Sequence, residues 1–301
     1  MSTIHSGELE LLEPEPDSPS KSIATHSNPS VMRQLLRRPV AVGALIVLGI
    51  LVLIAVFASF VAPYGPNEQN LLEIFESPSR EHLLGTDDLG RDILSRTIFG
   101  ARVAFVAALE AVSIALVFGV TLGLIAGFSG RLTDTLLSRF NDAAMSIPGL
   151  VLALTVVAVL GPGLTNAMLA IGIILTPAFF RISRAATLGV RHQTYIEASI
   201  NVGCSKRRVI AAHVLPNIQP PVLVQASLAL GTAVVAEASL SFLGLGVRPP
   251  TPSWGGMLAL AGRRPEYGYL VIGPGGALVT LVLAFVLLGD ALRDIVAGSE
   301  P

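Results

Sequence analysis

The chain has 301 residues, 52% of them hydrophobic and only 14% charged, with a formal net charge of −1 and a mean hydropathy of +0.69. That is far too apolar for a soluble domain, and basic residues scattered over many segments make no nucleic-acid-binding face. The expectation is an all-α polytopic membrane protein, held by no intrachain disulfide because Cys204 is the only cysteine, and without metal, since the five histidines are dispersed without metal-ligand spacing.

In chain order, residues 1–32 are rich in Glu, Pro and Ser without apolar periodicity and predict a disordered tail. Residues 33–62 predict a first, uncleaved span: arginines precede an apolar run at 40–62, long enough for a hydrocarbon layer of roughly 30 Å. Residues 63–100 predict an extracytoplasmic segment in which Thr86, Asp87 and Asp88 cap a helix lying along the membrane surface. Five further runs, 103–128, 143–160, 166–188, 222–245 and 270–288, bring the expectation to six transmembrane helices. In the fourth, Arg181 and Arg184 have to snorkel. Residues 101–290 form the core and 291–301 a C-terminal tail. Lys and Arg near span ends favour the side shared by both termini, which the positive-inside rule makes cytoplasmic.

Between the fourth and fifth spans, the loop 191–219 combines polar and basic residues with helix punctuation. Gln193 to Val202 predicts a short helix ended by Gly203. Ser205 then caps a second, carrying Lys206, Arg207 and Arg208 and stopped at Pro216. Two short helices at an angle form a rigid knob, able to pass a push from a partner to the flanking spans. The plain alternative is an ordinary basic loop.

This segment, Glu197-Ala198-Ser199 with Gly203 and Leu215-Pro216 at fixed spacings, resembles the "EAA" loop of ABC importer permeases, with Ser199 and His213 departing from the usual residues. The stretches 82–102, 213–217, 238–255 and 288–294 resemble signature segments of the second permease subunit in dipeptide, oligopeptide and nickel importers. The resemblance implies a MetI-like type I importer permease fold in a bacterial inner membrane. It implies ATPase-coupling roles for Glu197, Ala198, Ser199, Gly203, Cys204, Ser205, Arg207, Leu215 and Pro216. It further implies a second, homologous permease subunit, two cytoplasmic ABC ATPases that carry ATP and Mg, and an extracytoplasmic binding protein delivering short peptides. No catalytic residue or cofactor belongs to this chain on that reading. Lys21 and Lys206, its only lysines, lie in no phosphate-binding Gly-rich motif.

Other features bear on the path. Gly119, Gly123 and Gly127 share one helix face and permit close approach of another helix, from this chain or a partner. Glu110 and Glu237 lie inside apolar runs at similar depth. They are candidates for the translocation path, with interhelical hydrogen bonding about equally plausible for Glu237. In 247–254, three prolines predict a stiff outer cap with Trp254 at the membrane interface, a possible docking place for the binding protein. The alternatives left open are import of nickel or another small solute, a gradient-driven carrier, and a non-transporting sensor or scaffold.

Overall fold

The computed structural model describes residues 34–297, whose named elements are helices, with no named strand among the described residues. The tail expected over 1–32 lies outside the described residues. The helices are α1 (Pro39–Val56), α2 (Ala58–Val61), α3 (Ile93–Phe128), α4 (Arg131–Met145), α5 (Gly149–Leu160), α6 (Leu164–Arg191), α7 (Thr194–Asn201), α8 (Lys206–Val209), α9 (Leu215–Phe242), α10 (Trp254–Arg263) and α11 (Ile272–Ala297). A π-helical turn, Ile210–Val214, joins α8 to α9, so that Lys206–Phe242 reads as one long helix.

Five helical stretches are long and apolar enough to cross a membrane, and the bent pair α4 and α5 makes a sixth when counted as one broken span. The run 143–160, expected as one span, is instead broken: α4 and α5 meet at 86°. The cause sits at Pro148, whose ring disfavours helical geometry at the residue before it and which takes an extended conformation (φ −55°, ψ 125°). At ~1.5 Å per residue, α5 alone falls short of a hydrocarbon core of about 30 Å.

The core is organised around α3 and α6, which pack along most of their lengths. Ala104, Ala107, Ala108, Ala111 and Ala115 of α3 are buried at helical spacing, and small side chains there let the neighbouring backbones come close. Gly119, Gly123 and Gly127 continue the same seam. A Cβ at Gly119 would stand 2.5 Å from the Cβ of Phe179, one at Gly123 2.7 Å from the carbonyl of Phe180, and one at Gly127 2.7 Å from the Cβ of Thr187. Their neighbour is therefore α6 of this chain.

α1 is peripheral, packing on α11 and α3. Arg102 of α3 closes its far end, donating from Nε to the carbonyl of Ala55 at 2.5 Å and from Nη2 to that of Val56 at 2.9 Å. These are carbonyls that the end of a helix leaves unpaired. At the opposite end Arg38 pairs with Asp294 at 2.7 Å, so the start of α1 and the end of α11 share one side. The C-terminal tail expected from residue 291 is helical as far as Ala297.

Two expectations for the segments expected on the outer side change. Thr86 does not open a separate surface helix: it forms an isolated bridge with Asp92, and Asp92 caps α3 by accepting from the Ser95 amide at 2.7 Å. The helix then continues unbroken into the span. Trp254 is 2% exposed, and its Nε1 donates to the Thr97 carbonyl at 2.9 Å against Gly100. It pins α10 to α3 instead of sitting at the membrane interface.

Candidate coupling surface and intramembrane charges

The segment 192–216 builds a surface from two opposed requirements, a polar outside and an anchored inside. Glu197, Ala198, Gly203, Ser205, Arg207, Leu215 and Pro216 are exposed, while Ser199 and Cys204 are half-buried. Ser199 Oγ donates to the Tyr195 carbonyl at 2.8 Å. Beneath them Ile196, Val209 and Val214 are fully buried in the same apolar cluster that holds α3, α6 and α9. The protrusion is thus fastened to the core at three points. Its outward face also carries Tyr195, Ile200 and Val202, the last 85% exposed, an apolar set beside basic residues that suits a protein partner.

Gly203 ends α7 with φ +91°, a conformation that costs any L side chain energy. Ser205 stands at the N-cap of α8 in extended conformation but makes no side-chain cap. The expected stop at Pro216 does not occur. Pro216 lacks an N–H and its ring presses on the carbonyl four residues back, and the widened turn before it accommodates both faults: the Leu215 amide bonds to Ile210, five residues back. Asn217 Nδ2 donates to the His213 carbonyl at 2.6 Å, and the Tyr195 and His213 rings meet edge-on at 6.3 Å, tying α7 to the π turn.

Of the two interior carboxylates, Glu237 is 2% exposed and accepts from Ser241 Oγ at 2.6 Å. It is enclosed within its own chain, where it takes part in an internal hydrogen bond, the alternative the sequence left open for it. Glu110 is half-buried on α3. The fold does not bring the two into ion-pair or hydrogen-bond contact with any shared group.

A charged network that the sequence reading did not resolve lies in the segment between α2 and α3 and at the start of α3. His82 Nδ1 meets Asp92 Oδ1 at 2.9 Å and Nε2 meets Glu73 at 3.2 Å, while Arg91 Nε donates to Asp87 at 2.7 Å. Burial works against the imidazolium, yet the hydrogen bonds to Asp92 and Glu73 outweigh it and raise the His82 pKa above its ordinary value. Glu73, Glu76 and His82 bring possible metal-ligand atoms within 4.8 Å of one another. Both ring nitrogens of His82 already face carboxylates, so the set reads as an internal ion-pair network. The only sequence signal was the cluster of Asp at 87, 88 and 92 beside two arginines.

Comparison with known proteins agrees with this architecture. Residues 119–299 match the family described as binding-protein-dependent transport system inner membrane component, and residues 30–78 match the N-terminal TM domain of oligopeptide transport permease C. The chain is 40% identical to the dipeptide transport system permease protein DppC of Alkalihalophilus pseudofirmus, over 94% of this chain and 95% of that one. It is 44% identical to the di/tripeptide transport system permease protein DppC of Pseudomonas aeruginosa, over 84% and 86%. It is 39% identical to the glutathione transport system permease protein GsiD of Pectobacterium atrosepticum, over 87% and 88%. In fold it is similar to a chain of the inward-facing MetNI methionine ABC transporter, with a TM-score of 0.57 at 19% identity, covering 69% of this chain and 98% of that one. With matched helices, a matched family region and full-length relatives at this identity, the chain belongs to the binding-protein-dependent transport system inner membrane components, the multi-pass permease subunits of bacterial ABC importers.

Proposed function

We propose that this permease forms half of the translocation path for short peptides, paired with a second, non-identical permease and driven by two ATPase chains that grip the 192–216 protrusion. An extracytoplasmic binding protein hands over the peptide, and both termini face the cytoplasm. The observation that carries the reading is the protrusion itself: an exposed polar and apolar face whose underside, Ile196, Val209 and Val214, is locked into the core of the spans. A load applied there displaces α6 and α9 together instead of being lost in a slack loop. The relatives named for dipeptides and tripeptides support the substrate class. Arg38 with Asp294, and Arg191 with the end of α3, support one shared inner side for the termini and the protrusion. Chemistry on ATP and Mg belongs to the partner chains, and this chain transmits force.

The test is uptake of a radiolabelled dipeptide by the complete importer in proteoliposomes, with ATP and binding protein each omitted in turn. Accumulation requires both. Gly203→Pro, which cannot adopt φ +91°, abolishes accumulation while the complex still assembles. Uptake that survives Gly203→Pro, or that proceeds without ATP, refutes the proposal.

A further inference from the structure

Between the broken span and α6 lies a polar cavity of about 660 Å³, within the roughly 300–1,000 Å³ range of small-ligand clefts. Its walls carry Ser138, Asn141 and Asp142 from α4 and Phe180, Arg181 and Arg184 from α6. Their charges are not equivalent. Arg184 is already engaged, its Nη2 donating to Asp134 at 2.7 Å. Arg181 and Asp142 are exposed, and neither has an ion-pair partner within 4.0 Å among the described residues. Asn141 is 6% exposed, yet the contact of its amide nitrogen is the Met145 sulfur at 3.8 Å, a weak acceptor. Arg181 stands ten residues before the end of α6, roughly 15 Å along the helix, so it sits well up the span. A cation and an anion without ion-pair partners and an under-satisfied amide thus line one cavity, where a ligand of complementary charge can use all three.

We infer that this cavity is a peptide-binding station of the path, in which Arg181 takes the carboxylate of a short zwitterionic peptide, Asp142 its ammonium group, and Asn141 a peptide-bond carbonyl. The inference rests on the proposed function and names residues for it in place of Glu110 and Glu237. An adjoining apolar cavity of about 460 Å³ shares Asn141 and Phe180 and is lined by Phe118, Phe140 and Ile173. It offers the peptide's side chains a separate compartment, so recognition of the two termini is independent of which apolar side chain is carried.

The experiment uses the complete importer in proteoliposomes with radiolabelled dialanine. Arg181→Gln and Asp142→Asn each slow uptake about tenfold, the scale of one lost charge-assisted hydrogen bond. Arg181→Lys keeps most of the rate, and Arg139→Gln, on α4 with Asp142 but outside the cavity, keeps all of it. The amount of assembled complex is measured for each, so that a folding defect is not read as a transport defect. In a second arm, Ala185→Cys on the cavity wall is offered a membrane-impermeant cationic thiol reagent, and labelling beyond that of Cys204 is followed. It reacts, and dialanine during turnover slows the reaction. Wild-type uptake together with unaltered rates in both charge variants, or an inert Ala185→Cys, overturns the inference while leaving the proposed function standing. A wild-type complex that imports no dialanine overturns the function and the inference with it.

Discussion

The α3–α6 seam gives the sharpest quantitative test of how this chain is held together. Gly119→Ala places a methyl 2.5 Å from the Phe179 Cβ, 2.7 Å from the Thr176 carbonyl and 3.1 Å from the Phe180 amide, all fixed by the α6 backbone. Carbon atoms prefer separations of about 3.5–4.0 Å, so α6 must retreat by roughly 1 Å. Overpacking of this kind costs about 1–3 kcal/mol, while alanine regains about 1 kcal/mol of helix propensity over glycine. The expected net loss is ~1 kcal/mol. Gly43→Ala in α1, where nothing lies within 4 Å, keeps the propensity gain without the clash. The two variants therefore differ by about 2 kcal/mol, roughly 30-fold in the unfolding equilibrium. SDS titration of the purified chain in mixed micelles, followed by circular dichroism, reads the difference directly. Equal midpoints for Gly119→Ala and Gly43→Ala would refute the claim that backbone proximity at this seam limits residue size.

Further outcomes follow from the His82 network and from Trp254. Because the His82 pKa is raised in the folded chain, its stabilisation is fully present below the unfolded value of about 6.5 and is lost as pH rises through the higher folded value. Hydrogen exchange at residues 73–92 should therefore be slower at pH 6 than at pH 8.5 after correction for intrinsic rates, and His82→Gln should remove that dependence. Trp254→Ala empties the site between α10 and α3 and should cost about 3–5 kcal/mol, whereas Trp254→Phe keeps most of the packing and loses about 1 kcal/mol with the bond to Thr97. Thermal unfolding in detergent that finds the two variants equal would contradict the buried placement.

The sequence made some of this visible and hid the rest for physical reasons. Apolar runs and the Gly119, Gly123, Gly127 repeat are periodic signals, and they translated into helices and a seam. The side on which that seam packs needed the fold, because small residues report closeness and not identity of the neighbour. Glu197, Gly203 and Pro216 all lie on the exposed face of the 192–216 segment, yet Pro216 continued a helix that a local rule would end, since the preceding widened turn removes the clash. Pro148 breaks the run 143–160, and a reading by hydropathy alone passed over it. Trp254 was misassigned because an aromatic residue near a span end has two homes, the interface and a groove over Gly100. The pairing of His82 with Asp92 spans ten residues without periodicity, and the cavity between α4 and α6 depends on a bend that no window of composition encodes.

The π turn at Ile210–Val214 has a mechanical corollary. A turn that holds one residue more than an α-turn sets the angular phase of everything beyond it, by about 100° per residue. Tightening or relaxing that single turn would swivel α9 about its own axis while α7 stays anchored through Ile196, so on the proposed coupling role a thrust against the 192–216 segment would be turned into torque. Spin-label distances between α7 and α9 across the nucleotide cycle would distinguish such rotation from simple tilting.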